Sequence, residues 1–103
     1  MNKLDRGKAA SLSEYRIFET EQFQEDLQRK LGPRRERLTE KLRGHVYPKL
    51  KIKPYFGKNI RKLRGYKPET WRLRIGPYRF FYEIDEEEKI VFMIAAETRQ
   101  SGY

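Results

Sequence analysis

The chain has 103 residues and no cysteine, and its 24 Lys and Arg against 15 Asp and Glu give a formal net charge of +9 at pH 7. That length suits one core and one domain, and the lack of cysteine excludes disulfides, thiol nucleophiles and thiolate metal sites. The positive excess calls for a polyanionic partner, nucleic acid first and an acidic protein close behind; no apolar run reaches a membrane span and Met1 to Ser13 lacks a signal-peptide centre, so a cytoplasmic location with no membrane partner is expected.

Residues 1–13 mix charged and small side chains without a period and are read as a flexible leader, ahead of one domain over residues 14–103. Glu14 to Phe18 alternates, with Tyr15 and Ile17 on one side, and predicts a short strand. Thr20 suits an N-cap, and Phe23, Leu27 and Leu31 recur at helical spacing up to Gly32. Pro33 suits the start of a second helix carrying Leu38 and Leu42, with Gly44 as its C-terminal cap. The two helices form a hairpin.

From His45 to Gly57 the period breaks, Pro48 and Pro54 interrupt, and the spacing predicts an extended basic connection. Ile60 to Leu63 is a short strand candidate. Trp71 to Ile75 alternates clearly, with Trp71, Leu73 and Ile75 facing one way and Arg72 and Arg74 the other. Gly76 and Pro77 turn the chain into Tyr78 to Ile84, where Arg79, Phe81 and Glu83 oppose an apolar face. Asp85 to Lys89 is a polar turn, and Ile90 to Ala96, apolar on both sides, predicts a strand near the sheet centre and covered on both faces. The expected class is α+β: an N-terminal strand, a helical hairpin, then a largely antiparallel sheet of three to four strands, with helices on one face and arginines on the other.

Lys62-Leu63-Arg64-Gly65, then Trp71-Arg72-Leu73-Arg74-Ile75-Gly76, then Tyr78-Arg79-Phe80-Phe81-Tyr82-Glu83-Ile84-Asp85, stand in an order that closely resembles the central pattern of the RelE/ParE toxin superfamily. The resemblance extends through the last strand to Arg99 and Tyr103 and leaves out only the leader. It implies a toxin of a type II toxin–antitoxin system whose basic surface is blocked by an acidic antitoxin in a hetero-oligomer. For RelE-like members it further implies metal-independent, cofactor-free cleavage of messenger RNA in the ribosomal A site, by attack of a ribose 2′-hydroxyl on its adjacent phosphate. For ParE-like members the implied target is DNA gyrase, and a third alternative is an inactive basic module that only binds its antitoxin.

The resemblance points to Arg79, with Arg72 and Arg74 beside it on the neighbouring strand, as a guanidinium cluster. Such groups on a rigid sheet stabilise the charge gained by a phosphate in its transition state without reorganising. Arg99 and Tyr103 match the Arg and Tyr that close many relatives, the tyrosine as a base-stacking or proton-transferring group. Arginine cannot exchange protons near neutral pH, so the acid and base of the reaction stay unassigned. Glu97 is one candidate, with a charge pair to a nearby arginine as the competing explanation. His45, the only histidine, reads as a surface loop residue, and a lone histidine makes a metal site improbable. Lys51, Lys53, Arg61, Lys62 and Arg64, with Lys49 and Lys58 among them, form a second basic concentration around Tyr55 and Phe56, a mixture suited to RNA backbone contact. Their simpler explanation is solvated surface charge.

Overall fold

A computed structural model of the chain describes residues 14–98; the leader, Arg99 and Tyr103 lie outside that range. The first strand, β1 (Arg16–Glu19), is followed by helix α1 (Glu21–Lys30), a 3-10 turn at Gly32–Arg34 and helix α2 (Arg35–Lys41). Thr20 caps α1 as its sequence context requires, its Oγ1 accepting from the Phe23 N–H at 3.1 Å. The same hydroxyl donates to the Met93 carbonyl at 2.9 Å, so one residue both starts the helix and ties it to the sheet.

The second helix does not stop at Gly44. It passes through a π-helical turn, Leu42–Val46, into a last α-turn, α3 (Tyr47–Leu50). The expected extended connection over residues 45–50 is therefore helical, and the chain becomes irregular only after Leu50. Two forces account for this correction. Leu42, Tyr47 and Leu50 are all buried, so continuing the helix buries apolar surface that an extended path would expose. Pro48 has no N–H to offer the carbonyl four residues back and its ring collides with it; the ladder widens just before it, with the Tyr47 N–H donating to the Leu42 carbonyl.

The remaining strands are β2 (Ile60–Lys62), β3 (Trp71–Ile75), β4 (Tyr78–Asp85) and β5 (Ile90–Thr98). With β1 they form one five-stranded sheet in the order β1-β5-β4-β3-β2. The N-terminal strand thus joins the same sheet, lying parallel to β5, while the other neighbours are antiparallel. Gly76, at φ 57, followed by Pro77 makes the β3–β4 turn: a left-handed first residue and a proline-compatible second match a type II′ hairpin.

One face of the sheet meets the helices. Phe80, Tyr82, Leu73, Val91, Met93 and Ala96 point inward and join Phe23, Leu27, Leu31, Leu38 and Leu42 in a single buried cluster. Phe23 and Phe80 meet with ring centroids 6.2 Å apart. The other face is open: Phe92 and Ala95 of β5 remain partly exposed, which corrects the expectation of cover on both sides. The outward aromatic side chains instead shield one another, Phe18 packing edge-on against Phe92 at 5.7 Å.

β5 runs on past the end of β1, which would leave its backbone unpaired. Asp26 of α1 fills the gap, its buried carboxylate accepting from the Ala96 N–H at 2.9 Å. Near the same place a register shift between Phe81 and Tyr82 leaves Ile94 without a counterpart on β4 and bends the strand.

A cationic groove beside an arginine-bearing sheet face

Strand alternation sends Arg61, Arg72, Arg74, Arg79 and Phe81 to the open face. The registers then set them opposite one another: Arg61 faces Arg72 across β2 and β3, and Arg74 faces Arg79 across β3 and β4. Directly opposed residues of an antiparallel pair sit within side-chain contact range, and like charges there repel. Burial first, and then the guanidinium groups of Arg61, Arg74 and Arg79, lower the Arg72 pKa below its ordinary value. Its Nε is enclosed and has no hydrogen-bond partner.

Glu97 follows on β5 opposite Arg79, and its Oε1 lies 3.5 Å from the Arg79 guanidinium. The arginine's carboxylate neighbour is thus Glu97, and Glu97 is placed as a charge partner on this face. Glu83 also points outward but sits farther along β4, opposite Phe92.

Beyond the short β2, the lower half of β3 has no full strand beside it, only the Asn59 carbonyl accepting from the Arg74 N–H at 3.0 Å. The gap opens into a groove of about 1050 Å³ between the sheet edge and the helical stretch over residues 41–50. Arg61, Arg72 and Arg74 line its sheet wall, Lys41, His45 and Lys49 its helical wall, and Lys53 and Lys58 the loop between. Among the described residues no Asp or Glu lines it. Phe56, 74% exposed, stands at the rim.

The loop wall is pinned at several points. The Tyr82 hydroxyl donates to the Pro54 carbonyl at 2.7 Å in the core, and the Tyr15 N–H donates to the Lys51 carbonyl at 2.8 Å. Tyr15 and Tyr55 both donate to Glu86 Oε1 at 2.6 Å, and Lys89 completes that group by pairing with Glu86. The helical wall is held by Glu19, which accepts from Arg43 through both carboxylate oxygens at 3.0 and 2.6 Å and from the Tyr47 hydroxyl at 2.7 Å. Burial and the Glu19 carboxylate push Tyr47 above the tyrosine range, and it stays a donor.

Of the residues expected from sequence, Arg72, Arg74 and Arg61 come together, Arg79 lies on the same face, and Lys53 joins from the loop. Lys51 and Arg64 do not line the groove, and Lys62 pairs with Glu69 at 2.9 Å. Lys41 and His45 also line the groove, which the sequence reading did not expect. Their signal was present: residues 41, 45, 49 and 53 recur every four positions, a stripe that has meaning once the helix continues past Gly44. Among the described residues no three His, Asp or Glu side chains gather as a metal-holding group, and no helix is long and apolar enough to cross a membrane.

The sequence pattern behind this arrangement matches, over residues 17–99, the family model for the ParE toxin of type II toxin–antitoxin systems, parDE. The chain belongs to the ParE toxin family. Its fold is that of the wider RelE/ParE superfamily. RelE in the RelE–RelB complex of Pyrococcus horikoshii is 23% identical, with 82% of this chain and 94% of that one covered and a TM-score of 0.61. The RelBE2 toxin–antitoxin complex of Mycobacterium tuberculosis gives 24% identity, 84% and 99% coverage and a TM-score of 0.62. A double arginine-to-alanine mutant of Escherichia coli RelE in the free state gives 22%, 85% and 86%, and 0.60. No curated protein matches the chain in sequence. At these identities the structural likeness establishes the fold, and with the family match it makes the protein a toxin of the RelE/ParE superfamily.

Proposed function

We propose that this toxin is a metal-independent endoribonuclease that cleaves messenger RNA in the ribosomal A site, by attack of a ribose 2′-hydroxyl on the adjacent phosphate. The observation that carries this reading is the set of opposed arginines, Arg61 against Arg72 and Arg74 against Arg79, beside a groove whose lining, among the described residues, holds Lys and Arg but no Asp or Glu. Like charges held opposite one another on a rigid sheet repel unless an anion lies between them. A phosphate entering the groove relieves that repulsion, and relieves it more as negative charge builds in the transition state. Arg72, Arg74 and Arg79 are the stabilising groups in this scheme. Arg61 and Lys53, with Lys49 and Lys58, hold flanking phosphates, while Arg99 and Tyr103, outside the described residues, are kept in the proposal on the family resemblance alone.

The partners follow from the same charge. An acidic antitoxin covering the groove would silence the toxin, in line with the RelB-bound state of several structural neighbours, and the site of action is the cytoplasm. Purified toxin added to programmed ribosomes is expected to cut messenger RNA there and leave free RNA intact, with Arg72→Ala lowering the rate about 100-fold or more. Uncut message at saturating toxin would overturn the reading. The match to the ParE model favours a second one, poisoning of DNA gyrase without RNA cleavage. It predicts gyrase-dependent DNA breaks on induction, and normal supercoiling would exclude it.

A further inference from the structure

Cleavage through a 2′-hydroxyl needs a group that removes its proton, and the arginines of the sheet cannot serve. We propose that His45 is that general base, acting from the helical wall of the groove on the nucleotide whose phosphate Arg72 and Arg74 hold. The inference rests on the ribonuclease reading above and adds a catalytic residue to it.

Three observations support the assignment. The first is chemical inventory. Among the described residues, the groove is lined by Lys and Arg, by Asn59 and by apolar side chains, apart from His45. Amines and guanidinium groups ordinarily keep their protons far above neutral pH, and imidazole is the side chain that exchanges one between about pH 5 and 8. Glu83 and Glu97, acids of the arginine face, are not part of the groove lining, and Glu97 faces Arg79.

The second is local backbone. His45 sits inside the π-helical turn that precedes Pro48, and turns of this kind are frequent at functional sites. The turn is pinned from behind by Arg43 and Tyr47 on Glu19. The third is access. His45 is exposed and is among the residues lining the groove, so its side chain is open to solvent there.

The charged groups around the groove are all cationic. Lys41 and Lys49 flank His45 along the helical wall, Lys53 and Lys58 come from the loop, and Arg61, Arg72 and Arg74 line the sheet wall. In the proposed step the neutral imidazole takes the 2′-hydroxyl proton as the 2′-oxygen to phosphorus bond forms. The bond from phosphorus to the 5′-oxygen breaks, and that oxygen takes a proton from solvent. The products are a 2′,3′-cyclic phosphate and a 5′-hydroxyl end, and the imidazolium returns its proton to water.

The test is single-turnover cleavage of ribosome-bound message by the full chain at saturating toxin, from about pH 5 to 8. His45→Gln is expected to slow cleavage about 100-fold or more near neutral pH with ribosome binding and thermal melting unchanged, because the side chain is exposed. The slowing should vary with pH, the wild-type and variant profiles differing in shape rather than by a constant factor. Added imidazole should restore part of the activity of His45→Ala, which a purely structural role would not allow. A His45→Gln variant as fast as wild type, or one slowed equally at every pH and not rescued, would overturn the inference with the ribonuclease reading intact. Failure of the wild type itself to cleave would bring down both.

Discussion

Arg79 is tied into its surroundings on two sides, by repulsion from Arg74 across the strand and by Glu97 at 3.5 Å. Removing it takes away a charge that the proposed mechanism uses on phosphate, and in the free protein removes both the repulsion and the pair with Glu97. Arg79→Ala is therefore expected to lose cleavage about 100-fold or more while stability moves by less than about 1 kcal/mol; ribosome assays and urea unfolding check the two halves. A second residue-scale expectation concerns Glu86, whose pKa is lowered to about 2 by Lys89, Tyr15 and Tyr55. A carboxylate depressed in the folded state stabilises it fully above the ordinary value near 4.5, and that contribution is lost as pH falls toward 2. The stability difference between wild type and Glu86→Gln should accordingly be constant at neutral pH and shrink between those two values. A difference that persists unchanged to the lower limit would show that the loop does not depend on this charge.

At the scale of elements, the β3–β4 hairpin is what sets Arg74 opposite Arg79, and its turn depends on the left-handed backbone of Gly76. The space around this residue is open, so an added methyl would meet no neighbour and the whole cost would be conformational. Gly76→Ala should destabilise by about 1 to 2 kcal/mol, seen as a lower urea midpoint and faster amide exchange in the hairpin. Cleavage should fall with it, because register rather than side-chain identity has been disturbed. The π-turn is the corresponding device on the other wall, where Pro48 forces the ladder to widen and Leu42 and Tyr47 lock it into the core.

Across the whole molecule the net charge of +9 is not spread evenly, since the groove gathers cations from two helices, a loop and two strands. Binding to single-stranded RNA should release counterions from each phosphate engaged. Contact with about four phosphates predicts a slope near −3 for log affinity against log salt, and each cation removed from a contact lowers its magnitude by about 0.7. Titrations with wild type and with Lys53→Ala and Lys58→Ala read this directly. A slope unmoved by both substitutions would place the RNA elsewhere on the surface.

Much of this was legible in the chain itself. Alternation in Trp71 to Ile75 and Tyr78 to Ile84 is a local property, because successive side chains of a strand must point to opposite faces, and it was enough to send the arginines outward. Thr20, Gly76 and Pro77 likewise declare a cap and a turn through their own backbone chemistry. What the sequence could not supply was anything decided by distant partners. Whether the helix stopped at Gly44 depended on a core waiting to receive Tyr47 and Leu50, and glycine's own preference was weaker than that burial. The pairing of β1 beside β5, the facing of Arg61 with Arg72, and the gathering of His45 and the arginines along one groove required the chain to close on itself, since residues far apart in sequence become neighbours only through the packing of the whole.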